Sequence, residues 1–140
     1  MIVVTGVYGF IGSCLIGFLN EKGITDIIAV DDFSKKEKEP NLQGKRIAQR
    51  IERTDFIKWF KNNTPSVSFV FHIGARTDTT EFDYRIHEEL NVKYSKDVFN
   101  ICIKYSIPII YASSAATYGA GELGYDDSPA SLSFALKPWQ

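Results

Sequence analysis

The chain has 140 residues, 44% of them hydrophobic, and a formal net charge of −1. That supports one domain-sized core and excludes the strong field that would mark a nucleic-acid or membrane-surface partner. The apolar runs are too short to cross a bilayer and Met1 opens directly onto "IVVTG" with no basic leader, so a soluble cytoplasmic protein is expected.

In chain order, "IVVTG" predicts a short buried strand ending at Gly6. Phe10, Ile11, Cys14, Leu15, Phe18 and Leu19 then recur at helical spacing and predict a helix from Phe10 to Lys22, with its apolar face on those six. "IIAVDD" (27–32) predicts a second strand, and the charged "FSKKEKEPNLQGK" a loop too polar for the core. "RIAQRI" predicts a third strand, Asp55 to Lys61 a short helix, and "VSFVFHIG" a fourth strand after Pro65. A long helix is predicted from Phe82 to Tyr105, with Tyr84, His87, Leu90, Tyr94, Val98, Ile101 and Tyr105 near one stripe. After Pro108, "IIYASS" predicts a fifth strand. Strands separated by helices imply an α/β fold, a doubly wound parallel sheet of the Rossmann type. Residues 119–140 carry Gly, Pro and Ser breakers without periodicity and read as an ordered loop.

Gly6, Gly9 and Gly12 stand between the first strand and the first helix. Backbone without side chains there can turn tightly and bring helix N-terminal amides against a diphosphate. The spacing is G-x-x-G-x-x-G, not the G-x-G-x-x-G of the general dinucleotide fingerprint, and a glycine turn serving only helix–strand packing is the alternative. Asp31 and Asp32 end the second strand where an acidic residue meets an adenosine ribose, which favours NAD. Lys35, Lys36, Lys38 and Arg53 follow and could neutralise a 2′-phosphate instead, or form a merely solvated basic loop. The residues themselves therefore leave NAD and NADP open. Ser113 and Ser114 end the fifth apolar run, at the carboxyl edge where open parallel sheets bind ligands.

Other candidates are weaker. Cys14 and Cys102 lie in helix-like segments and are expected to be plain buried thiols. His72 and His87 have no partner spacing, so no metal site is expected, and His72 reads as a satisfied core histidine. Trp59 and Phe60 read as core, and Asp126 and Asp127 as loop residues. Asp78, Thr79, Thr80 and Glu81 either touch substrate or cap the following helix.

Together, "TGVYGFIGS", "VDD", "HIGARTDTTE" and "YASSAATYG" resemble the extended short-chain dehydrogenase/reductase superfamily. Within it the chain is most similar to the ADP-L-glycero-D-manno-heptose 6-epimerases, through "GARTDTTEFD" and the alanine pair of "SSAATYG". The resemblance implies that Gly6, Gly9, Phe10, Ile11 and Gly12 hold the pyrophosphate, with Asp31 and Asp32 at the ribose and adenine. It implies that Lys38 and Arg53 accompany a preference for NADP. Ile73, Gly74, Ala75, Arg76 and Thr77 would pass over the cofactor, with Asn91 on the long helix behind, and Ser114 would be the catalytic serine. The implied activity is an isomerase: transient hydride transfer to NADP inverts a nucleotide-sugar centre, on ADP-heptose, in lipopolysaccharide core heptose biosynthesis. A homo-oligomeric full-length protein is implied too.

The superfamily also needs a Tyr-x-x-x-Lys pair, whose lysine lowers the tyrosine pKa for proton exchange. Here Tyr111, Tyr118 and Tyr125 are followed four residues on by Ala115, Glu122 and Pro129. Residues 1–140 are therefore expected to be an incomplete NAD(P)-binding domain, truncated before the catalytic helix and the C-terminal substrate domain, and inactive alone. The other readings are a nucleotide-sugar 4-epimerase or dehydratase, and a non-catalytic dinucleotide-binding module. A strand order of 3-2-1-4-5 would leave "IPIIYAS" as an apolar edge and predicts self-association.

Overall fold

The computed structural model describes residues 1–75 and 88–113. Five strands, β1 (Ile2–Thr5), β2 (Ile27–Asp31), β3 (Gln49–Glu52), β4 (Phe69–His72) and β5 (Ile109–Tyr111), form one parallel sheet ordered β3-β2-β1-β4-β5. β1 is central, with Thr5 opposite Val30 on one side and His72 on the other. α1 (Phe10–Glu21) covers one face, and α2 (Arg53–Asn63) and α3 (Tyr94–Lys104) cover the other.

Side chains of a strand alternate between faces, so each central strand feeds both cores. Val3, Ile28, Val30 and Val70 meet Phe56, Phe60, Val98 and Ile101 on the α2–α3 side. Val4, Ile27 and Ala29 meet Ile16 and Leu19 on the α1 side. Phe56 and Phe60 are wholly buried and stacked with ring centroids 5.2 Å apart. Burial of each contributes roughly 2–3 kcal/mol. This is the doubly wound α/β fold that the strand–helix alternation predicts.

Several local expectations are corrected. The buried face of α1 is Gly12, Ser13, Ile16 and Leu19, whereas Phe10, Ile11 and Phe18 are 81%, 63% and 54% exposed. Cys14 lies on that exposed side and is not a buried thiol; Cys102 is buried, which pushes its pKa up to about 11. Of the predicted face only Leu19 is buried and Leu15 partly so; the buried stripe is turned toward Gly12, Ser13 and Ile16, and the two small residues let the start of the helix come close to the β1–α1 turn. Within the charged segment, Phe33 and Leu42 enter the core and residues Lys36–Leu42 form a 3-10 helix. β3 starts three residues later than "RIAQRI" and α2 is longer than predicted at both ends. β4 and β5 are shorter than their apolar runs. The long helix begins, within the described residues, as a π-helical turn at Glu88–Lys93 that runs into α3, and Tyr105 just beyond it is exposed. Among the described residues no helix is long and apolar enough to cross a membrane.

Candidate functional site

Gly6 follows β1 directly and takes a φ of +73°, a left-handed value that costs glycine little. Lack of a side chain matters still more for packing. A Cβ on Gly6 would stand 2.5 Å from Gly74 Cα, and one on Gly12 would stand 2.2 Å from the Gly6 carbonyl oxygen. The β1–α1 turn, the first turn of α1 and the segment after β4 are thus in direct backbone contact. Gly9 is the N-cap of α1 and offers no side-chain hydrogen bond to the helix, and the first turn carries no acidic residue. The first-turn amides therefore remain available to an anion, with the helix dipole favouring it.

A cavity of about 410 Å³ opens over this cradle at the carboxyl ends of β1, β2 and β4, within the usual size of a small-ligand site. Gly6, Gly9, Phe10, Ile11 and Gly12 form one wall, and Ile73, Gly74 and Ala75 another. Asp31 closes β2, Lys38 stands in the 3-10 helix and Arg53 opens α2, and all three border the same cavity. The structure thus gathers eleven of the predicted positions around one space. Asp32 and Asn91 are not among the described lining residues. The Asp32 carboxylate turns to the Ser34 hydroxyl and amide and lies 4.0 Å from Arg53, and the Ser34 hydroxyl bond above all holds its pKa below the usual value. Asn91 lies in the π-helical turn. Arg76, Thr77 and Ser114 fall outside the described residues; Ser113 is exposed beyond the end of β5.

The sequence from 2 to 137 matches the model of the NAD-dependent epimerase/dehydratase family. The chain belongs to that family. It is 43% identical over 129 residues to the ADP-L-glycero-D-manno-heptose-6-epimerase of Fusobacterium nucleatum subsp. nucleatum, covering 91% of this chain and 39% of that protein. The Helicobacter pylori enzyme of the same name superposes with a TM-score of 0.67 at 20% identity, over 96% of this chain and 47% of that one. The UDP-glucuronic acid 4-epimerase of Bacillus cereus, solved in complex with NAD, gives a TM-score of 0.67 at 24% identity, over 84% and 41%. The chain spans less than half the length of each of these proteins.

Two hydrogen-bond networks brace the epimerase-family cradle, and the sequence reading assigned neither. In the first, the Gly74 N–H donates to Thr5 Oγ1 (3.0 Å), and the same hydroxyl is hydrogen-bonded to His72 Nδ1 (2.8 Å). His72 Nε2 is hydrogen-bonded to Ser95 Oγ at 2.9 Å, so the imidazole ties β1, β4 and α3 together. His72 is 1% exposed and burial depresses its pKa to about 4. It is the satisfied core histidine that was expected.

In the second network, the Tyr8 N–H donates to Asp31 Oδ2 at 2.8 Å, and the Tyr8 carbonyl accepts from Asn41 Nδ2 at 2.7 Å. The buried Tyr8 hydroxyl donates to Glu39 Oε2, and Arg50 clasps the same carboxylate at 2.8 and 3.0 Å. Arg50 first and Tyr8 second pull the Glu39 pKa down to about 2, while the Glu39 bond and burial raise that of Tyr8 to about 12. Tyr8 is the large residue between two glycines, and that contrast is the sequence signal that could have pointed to a brace.

A dinucleotide suits these residues. The cradle brings bare amides where any Cβ would clash, and the β2–α2 end supplies one carboxylate and two cations.

Proposed function

We propose that the chain is the cofactor-binding part of an ADP-L-glycero-D-manno-heptose 6-epimerase that prefers NADP. The observation that carries this reading is the meeting, in one cavity, of the glycine cradle with Lys38 and Arg53. The similarity to the Fusobacterium protein supports the choice of epimerase. When bound, the nicotinamide supplies the hydride chemistry that lets a carbinol centre be oxidised and reduced again on its other face. The chain's own residues do the rest. First-turn amides of α1 hold the diphosphate, and the Asp31 carboxylate accepts from a ribose hydroxyl. Lys38 and Arg53 pair with a 2′-phosphate, which offsets the repulsion that Asp31 would otherwise exert on it. Ser114 donates its hydroxyl to the reacting oxygen of the sugar.

The cellular setting that follows is cytoplasmic synthesis of heptose precursors of lipopolysaccharide by a homo-oligomeric full-length enzyme. No tyrosine of this sequence is followed four residues on by lysine, so residues 1–140 alone are expected to bind cofactor without turning substrate over.

Titration calorimetry tests the cofactor assignment. NADP⁺ is expected to bind more tightly than NAD⁺, and Lys38→Ala to reduce that preference about tenfold by removing one charge-assisted bond. Absence of binding by either cofactor overturns the dinucleotide reading, and an NAD⁺ preference indifferent to Lys38→Ala overturns the NADP assignment.

A further inference from the structure

Tyr94 opens α3, and its ring is held from two sides, 6.4 Å from Phe56 and 5.9 Å from His72 between centroids. The side chain borders the cavity above the glycine cradle. Its hydroxyl oxygen is buried and has no hydrogen-bond partner among the described residues. Buried hydroxyls are almost always paired, because an unpaired one forfeits its bonds to water with nothing in return. An unpaired one in a native fold therefore calls for an explanation, such as a role in the site or a bound group that completes it.

The phenol keeps its proton at neutral pH, since burial raises its pKa, so it is available as a donor. The charges that act on it are those of Arg53 and Asp31. Those two residues open α2 and close β2, in the first β–α–β half of the sheet, the half that takes the adenosine of a dinucleotide.

We propose that the Tyr94 hydroxyl is a further ligand-binding group, donating a hydrogen bond to an acceptor atom of the adenosine half of the dinucleotide. Among the described residues nothing pairs it in the free protein, a cost in stability that bound ligand removes. This inference rests on the dinucleotide reading above, and it adds a residue that the glycine and acidic motifs do not contain.

Tyr94→Phe keeps the ring contacts and deletes only the hydroxyl. The free variant is expected to melt at the same temperature as the native chain or above it, because the unpaired group is gone. NADP⁺ and NAD⁺ are both expected to bind it about tenfold more weakly, the effect of one lost hydrogen bond. Adenosine 2′,5′-bisphosphate, which has no nicotinamide half, should show the same loss. If the native chain binds no dinucleotide, the reading beneath the proposal fails. If it binds and Tyr94→Phe binds equally well, the proposal itself fails. A lower melting temperature for the free variant would show that the hydroxyl already has a partner in the protein, and would also overturn it. A loss confined to the dinucleotides, with the bisphosphate unaffected, would overturn the adenosine assignment.

Discussion

At the residue scale, the chemistry that shapes this site is that of small and buried groups. Gly12 cannot accept even a methyl group, because the position of its Cβ is occupied by the Gly6 carbonyl. His72 is the most deeply placed titratable side chain of the network that closes the cradle, and its pKa is depressed from 6.5 to about 4. The unfolded chain therefore binds more protons than the folded one between those values. The stability due to the neutral imidazole is fully present above pH 6.5 and is lost as pH falls toward 4, and the whole of it amounts to about 3 kcal/mol. Urea unfolding should show the midpoint falling between pH 6.5 and 4.5, above the range in which Asp32 and Glu39 take up protons. His72→Gln should flatten that slope, and a native midpoint constant over this interval would sink the claim.

At the element scale, the 3-10 helix Lys36–Leu42 acts as a clamp on the glycine turn. One of its faces sends Leu42 into the α1-side core, Glu39 and Asn41 hold Tyr8, and Lys38 borders the cavity. Loss of the clamp should loosen both the cradle and the cation. Glu39→Ala is expected to weaken NADP⁺ binding about fivefold, as befits a positioning hydrogen bond. Glu39→Gln, which can still accept from Tyr8, should recover part of that loss. Equal dissociation constants for Glu39→Ala and the native chain would remove the clamp from the account. The sequence reading treated this segment as a polar loop because lysines and glutamates outnumber its apolar residues. Its structural role depends on Leu42, Glu39 and Asn41, three positions whose partners lie far off in the chain.

At the scale of the whole molecule, β5 stands at the edge of the sheet, with Ile110 and Tyr111 about half exposed. Ile103 and Tyr105, at the end of α3, add further exposed apolar surface. Among the described residues no strand pairs with the outer side of β5, and an apolar edge is a template for pairing with another strand. The 140-residue chain is expected to self-associate in size-exclusion chromatography with light scattering, and Ile110→Lys to shift it toward monomer. A sharp native monomer peak at high concentration would contradict this.

The order of strands and helices, the glycine cradle and the family could all be read from the sequence, because they rest on local periodicity and on residues only a few positions apart. Gly6, Gly9 and Gly12 declare the turn, and "VDD" declares the strand end opposite it. The buried face of α1, the anchoring of Tyr8 by Asp31, Glu39 and Asn41, the Thr5–His72–Ser95 link and the burial of the Tyr94 hydroxyl, unpaired among the described residues, could not be read this way. Each depends on which side of a helix meets the sheet, or on two atoms that meet across 23 residues or more of chain. Only the packing of the sheet against its helices brings those atoms within reach, since propensity acts along the chain while burial and hydrogen bonding act through space.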